Sequence, residues 1–367
     1  MSVNPPHEAA RFAHASAGTP GTSLRPLSGT AEKILGLLRE WDAADDPEPL
    51  VVETSGSTGV PKRVVLSRAA MRASADATHA RLGGPGQWLL AIPPTYVAGL
   101  QVLFRSVRAG TRPVVLRDHT DLADGTAKMS GERRYVSLVP TQLHRAVEAG
   151  CDALGGFDSI LIGGASLDPA LRERAEVAGA RIVTTYGMSE TCGGCVYDGV
   201  PLDGVEVATT ADGRLRIRGS VLFDGYDGQP GLTAQALQGG WFVTQDLGRI
   251  DESGRVVIGG RVDDVINSGG VKVPAAQVAL EIRLHPRVRA AEVVGMPDAE
   301  WGEIVVAAVV GDVTLDELRD WVAEEYPRSF APRSVVHLDA LPLLPNGKVD
   351  RQALKARLAT EFGAGRR

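Results

Sequence analysis

A chain of 367 residues, 44% apolar and 23% charged, is long enough for two or three folded units and too balanced in composition for a fibre or a wholly disordered chain. Its net charge of −6 offers no general attraction to nucleic acid or anionic membranes, so a bound polyanion must be held by a local group of donors. Three cysteines, Cys151, Cys192 and Cys195, cannot build a disulfide framework, and no apolar run approaches the roughly 18 residues that span a bilayer.

Residues 1–30 are rich in Ala, Pro, Gly, Ser and Thr without a continuous apolar core, which predicts a loose N-terminal arm and a cytoplasmic address. From residue 50 to 183 short apolar runs (50–52, 88–92, 113–116, 136–139, 160–162, 182–183) alternate with helix-like stretches, the pattern of a largely parallel sheet with helical crossovers. Loops after such strands sit at their carboxyl ends, where α/β sheets bind ligands. From about Gly204 the chain becomes strand and turn, with Asp251-Glu-Ser-Gly254 as a hairpin signal. A compact unit then follows, with a helix over 275–284, strands over 291–294 and 304–310, and a helix from Leu315 that Thr314 and Glu317 open as a capping box. The expected division is an arm (1–30), a large α/β domain with a β-rich part (31–260) and a small α+β C-terminal domain (261–367) joined by a hinge.

The first chemistry-bearing stretch, Thr54, Ser55, Gly56, Ser57, Thr58, Gly59 and, after Val60 and Pro61, Lys62, follows an apolar strand. Small residues let backbone N–H groups approach phosphate oxygens, and hydroxyls and a lysine add donors. The same composition also suits a flexible linker, and Pro61 stands where a Walker loop needs its second glycine. Composition alone leaves both readings open.

Further motifs follow in a fixed order: Gly163-Gly164-Ala165, Tyr186-Gly187-Met-Ser189-Glu190-Thr191, Thr244-Gln-Asp246-Leu-Gly248, Gly260-Arg261-Val-Asp263-Asp264 and Pro345-Asn-Gly-Lys348. Together with the loop at 54–62, this set resembles the adenylate-forming superfamily of acyl-CoA synthetases, peptide-synthetase adenylation domains and luciferases, from about Leu50 to the C-terminus. The resemblance implies ATP, Mg²⁺ and CoA as cofactor and co-substrates. By it, the 54–62 loop and Lys62 hold phosphates, Gly163, Gly164 and Ala165 line the adenine with Tyr186 and Gly187 nearby, and Asp246 and Arg261 hold the ribose. Ser189 and Glu190 meet the α-phosphate and Mg²⁺, a hard cation that a carboxylate suits. Lys348 supplies the cation that stabilises charge on the oxygens as the substrate carboxylate attacks the α-phosphorus and pyrophosphate leaves. Asp263 matches the hinge about which the small domain swings between half-reactions, bringing Gly269, Gly270 and Lys272 to the CoA thiol.

The segments 92–99, 137–145 and 201–205, above all Val-Pro-Thr-Gln-Leu, resemble the o-succinylbenzoate-CoA ligases of menaquinone synthesis, in a shortened form. By that resemblance Tyr96 stands where relatives often carry a histidine, and it will not titrate near neutral pH. Such an acid keeps a spectator benzoate that needs a buried donor or cation. Arg145 is the expected partner, with Thr141 and Gln142 as neutral helpers and Tyr96 and Gly99 in the acyl pocket. A ligase for another aryl or fatty acid, a carrier-protein-loading enzyme and a non-catalytic nucleotide-binding regulator are the alternatives. The partners expected are small molecules, not nucleic acid or membrane, with self-association left open. The Cys192-Gly-Gly-Cys195 spacing lacks further ligands for zinc and reads as packing around the nucleotide turn.

Overall fold

The computed structural model describes residues 26–54, 61–344 and 347–364, with side chains as far as residue 360. Among these, the buried apolar residues form four clusters that do not mix the two parts of the chain. Two draw on residues between Ala31 and Val256, and two on residues between Ile266 and Leu358. Of the arm expected over 1–30, the end is tied down: the Leu27 N–H donates to the Val51 carbonyl, and Thr30 caps the helix Ala31–Ala43.

The larger part is built on a seven-stranded sheet in the order Val114–Val115, Gln87–Leu90, Arg134–Leu138, Ser159–Ile162, Ile182–Met188, Gly193–Tyr197, Val200–Pro201. The first five strands are parallel and the last two antiparallel. Packing on both faces explains why the central strands read as unbroken apolar runs. The carboxyl ends of three parallel neighbours deliver Val139, Gly163 and Ser189 to one edge.

The first apolar run does not join this sheet. Leu50–Thr54 pairs antiparallel with Lys62–Leu66, Thr54 opposite Lys62, and Gly225–Tyr226 adds a third strand. The expectation of a parallel strand here is corrected for a geometric reason: the residues between Thr54 and Lys62 are far too few for a crossover, which takes a dozen or more. A second, five-stranded antiparallel sheet carries the β-rich part, and the Asp251 carboxylate closes its predicted hairpin by accepting from the N–H groups of Ser253 and Arg255, each at 2.9 Å.

In the small part, Gly302–Gly311 lies between Val288–Asp298 and Ser334–His337, with Val265–Ser268 and Val271–Pro274 continuing the sheet. Val305, Ala307 and Val309 face the helices Ala275–Arg283 and Leu315–Glu325, while Val306, Ala308 and Val310 face Leu354 and Leu358 of the helix Arg351–Ala364. The two-residue period of a strand covered on both sides thus makes 304–310 wholly apolar. The capping box forms as expected, with Glu317 N–H donating to Thr314 Oγ1 at 3.3 Å and Thr314 N–H to Glu317 Oε2 at 2.8 Å.

Candidate active site

A cavity of about 750 Å³ opens between the two parts and is lined from both. Its wall includes Thr54, Lys62, Tyr96, Gly163, Gly164, Gly187, Ser189 and Glu190 from the larger part, Arg261 and Asp263 from the junction, and Lys348 from the smaller. Ser55, Gly56, Ser57, Thr58 and Gly59 lie outside the described residues, as do Pro345 and Asn346.

Ser189 and Glu190 occupy a tight turn after the strand Ile182–Met188. Thr191 Oγ1 accepts from the Met188 N–H (2.9 Å) and donates to the Gly193 carbonyl (2.7 Å), and Cys192 closes the turn in the left-handed region at φ 51°. Such a backbone is uncommon for a residue with a Cβ and persists only where its surroundings fix it. Tyr226 donates its hydroxyl to Glu190 Oε1 at 2.8 Å, and Lys62 Nζ stands 5.4 Å from the centre of the same ring. Residues far apart in sequence therefore converge on the Glu190 carboxylate.

Asp246 lies behind the wall, buried. Its Oδ2 accepts from the Tyr186 hydroxyl (2.7 Å) and its Oδ1 from Arg261 Nη1 (3.2 Å), while Arg261 Nε reaches Asp263 Oδ1 at 2.8 Å. Burial pushes the Asp246 pKa up against the opposing pull of Tyr186 and Arg261. The guanidinium thus links the carboxylate expected at the ribose to the residue expected at the hinge.

Lys348 enters from a tight turn. Leu344 N–H donates to the Lys348 carbonyl and Gly347 N–H to the Leu344 carbonyl, both at 2.8 Å, and Gly347 takes φ +79°. The turn is anchored beyond by Arg351, which pairs with Asp264 and with Glu292 (2.8 Å). A Cβ on Gly164 would lie 2.9 Å from Lys348 Cε, so the lysine stem runs along the glycine backbone. Burial lowers the Lys348 pKa, Arg261 lowers it further and Asp246 opposes both.

Other expected residues are not brought to the cavity wall. Arg145 is exposed: its helix Pro140–Glu148 turns Leu143 inward, and two residues on, about 200° around the helix, Arg145 faces away. Gln142 is spent on structure, accepting from the Val139 N–H (3.0 Å) and donating to the Ala91 carbonyl (2.7 Å). Thr141 donates to the Gly347 carbonyl. Gly99 is buried where a Cβ would sit 2.2 Å from the Pro93 carbonyl oxygen, so its place is to let the helix Val97–Arg108 close on the preceding loop. Ala165 is exposed and off the wall. Gly269 and Gly270 turn a hairpin against Trp301, and Lys272 is exposed beside them; with Lys348 inserted, all three stand away from the cavity.

The cavity also holds two polar residues that the sequence did not signal. Gln101 and Arg105, one turn apart on the helix Val97–Arg108, line it at 1% and 3% exposure. Arg105 lies 5.2 Å from the Trp88 ring, yet its Nε and Gln101 Oε1 have no hydrogen-bond partner among the described residues. Burial depresses the Arg105 pKa, opposed by Tyr197. Of the Cys192-Gly-Gly-Cys195 segment, the two glycines reach the wall. The sulfurs are buried, burial pushing Cys195 up to about 12 and Cys192 up as well, and among the described residues no cluster of three or more metal-ligating side chains occurs.

Residues 39–226 match the AMP-binding enzyme family and residues 281–348 the AMP-binding enzyme C-terminal domain. The chain belongs to the AMP-binding enzyme family. Within that family it is similar to a probable 2-succinylbenzoate–CoA ligase of Mycobacterium tuberculosis, 46% identical over 344 residues and 90% of each chain. It is also similar to the o-succinylbenzoate CoA synthetase of Bacillus subtilis solved with its acyl-adenylate intermediate, at 28% identity and a TM-score of 0.72 over 83% of this chain and 68% of that one. The same enzyme solved with ATP and magnesium ion gives 27% identity and a TM-score of 0.72 over 83% and 69%. No helix among the described residues is long and apolar enough to cross a membrane.

Proposed function

We propose that this AMP-binding enzyme adenylates the succinyl carboxylate of 2-succinylbenzoate with ATP and passes the acyl group to CoA, releasing AMP and pyrophosphate. The observation that carries the reading is one cavity with Lys348, Glu190 and Arg261 on its wall and a buried guanidinium, Arg105, on the same wall. A carboxylate oxygen of the acid attacks the α-phosphorus, and the bond to the bridging oxygen breaks, pyrophosphate leaving with the electron pair. Lys348 and Lys62 stabilise charge on the phosphate oxygens as it grows. Glu190, held by Tyr226, offers one hard oxygen for a Mg²⁺ that the nucleotide's phosphates would complete, the usual way this ion is shared. The CoA thiol then attacks the acyl carbon, losing its proton, and the carbon–oxygen bond to AMP breaks.

At the acid end the spectator benzoate requires a desolvated cation. Arg105 fits this task, with Gln101 beside it, and replaces Arg145 in the assignment. The use of ATP and CoA as co-substrates supports a cytoplasmic location, where we place the enzyme. Purified protein given ATP, Mg²⁺, CoA and a panel of acids is expected to form AMP and a thioester of the mass of 2-succinylbenzoyl-CoA. Absence of AMP with every aromatic dicarboxylate would overturn the assignment, and preference for an aliphatic or monocarboxylic acid would reassign the substrate.

A further inference from the structure

We infer that Thr141 is a positioning residue for Lys348, a latch through which the larger part fixes the lysine-bearing turn during adenylation; this rests on the function proposed above. Thr141 Oγ1 donates to the Gly347 carbonyl at 3.2 Å, a bond between residues 206 apart in sequence that joins the larger part to the smaller. The acceptor belongs to the peptide that joins Gly347 to Lys348, so the bond sets the plane from which the lysine side chain departs.

The donor's platform is rigid. Thr141 lies in the first turn of the helix Pro140–Glu148, and the neighbouring Gln142 pins that turn to Val139 and Ala91. The surfaces also fit closely: a Cβ on Gly347 would stand 2.7 Å from Val139 Cγ2 and 3.2 Å from Thr141 Oγ1. Only a residue with no side chain, in the left-handed region, lets the carbonyl approach. The bond exists only while the turn is docked. In the function proposed above Lys348 serves adenylation, so the latch is expected to act on the first half-reaction.

Three proteins test this: the unaltered chain, Thr141→Val and Thr141→Ser. Each is assayed for pyrophosphate exchange into ATP and, separately, for thioester formation from supplied 2-succinylbenzoyl-AMP and CoA. Thr141→Val is expected to lower the adenylation kcat about 3- to 10-fold, the worth of one hydrogen bond, with KM for ATP and for the acid unchanged and the second half-reaction unchanged. Thr141→Ser is expected to restore it. A rise in KM for the acid without loss of kcat would make Thr141 a substrate contact and overturn the latch, as would equal loss in both half-reactions or no loss at all. If the unaltered chain itself gives no exchange with 2-succinylbenzoate, the functional reading fails instead, an outcome separate from the variants.

Discussion

The ends of the cavity proposed for the nucleotide and for the acid are built in different ways. At the end proposed for the nucleotide, Ser189-Glu190 and Gly347-Lys348 sit on tight turns closed by their own neighbours' hydrogen bonds. At the end proposed for the acid, Gln101 and Arg105 sit in a helix among the buried apolar side chains of Leu100, Val102, Leu103 and Phe104. Chemistry shared by every substrate can be held by local backbone devices, whereas recognition of one acid is assembled from ordinary side chains placed by tertiary packing.

The sharpest way to break the comparison is at its nucleotide side. Lys348→Ala is expected to reduce adenylation about 10²- to 10³-fold while thioester formation from supplied acyl-adenylate stays within about 2-fold of the unaltered enzyme. Equal loss of both steps would show that the lysine is not confined to the first. Because burial depresses the Lys348 pKa, deprotonation and loss of the cation come at lower pH than for an ordinary lysine. The adenylation kcat/KM for ATP should therefore fall on an alkaline limb that Lys348→Arg moves upward.

On the acid side, Arg105→Met is expected to lower kcat/KM for 2-succinylbenzoate about 30- to 100-fold, with KM for ATP unchanged. The analogue lacking the benzoate carboxylate should be used equally well by both proteins. The melting temperature separates two roles: a large drop together with equal loss on both acids would make Arg105 a structural residue held by Trp88 and Tyr197. The smallest effect is expected from Arg145→Ala, less than about 2-fold on either KM, since an exposed guanidinium on the outer helix face contacts neither end.

How much was legible follows from the same contrast. Turn chemistry, apolar periodicity and the Thr314–Glu317 box are local rules, and they make the parallel sheet and the small α+β unit legible, whereas the roles expected at the nucleotide rest on the resemblance carried by the ordered motifs. The strand Lys62–Leu66 was not foreseen, because five residues with Lys and Arg at the start carry little periodicity and gain their partners only from Leu50–Thr54 and Gly225–Tyr226. Tyr226, which holds Glu190, gives no signal outside its sheet. Arg145 stands beside a motif in sequence, but the helix turns it outward; Arg105 carries no signal in sequence because a lone arginine among apolar residues reads as surface until its helix is seen to be covered.

Sulfur placement has a practical consequence. Cys192 and Cys195 are sealed beneath the substrate-facing glycines, and Cys151, at the start of the turn after the helix Pro140–Glu148, is the partly accessible thiol of the three. A maleimide dye at neutral pH therefore loads one position on the larger part of each chain, away from the catalytic wall. Paired with a second reporter on the helix Arg351–Ala364, that single native handle would show optically whether the lysine-bearing turn arrives and departs as proposed, with no cysteine to remove first.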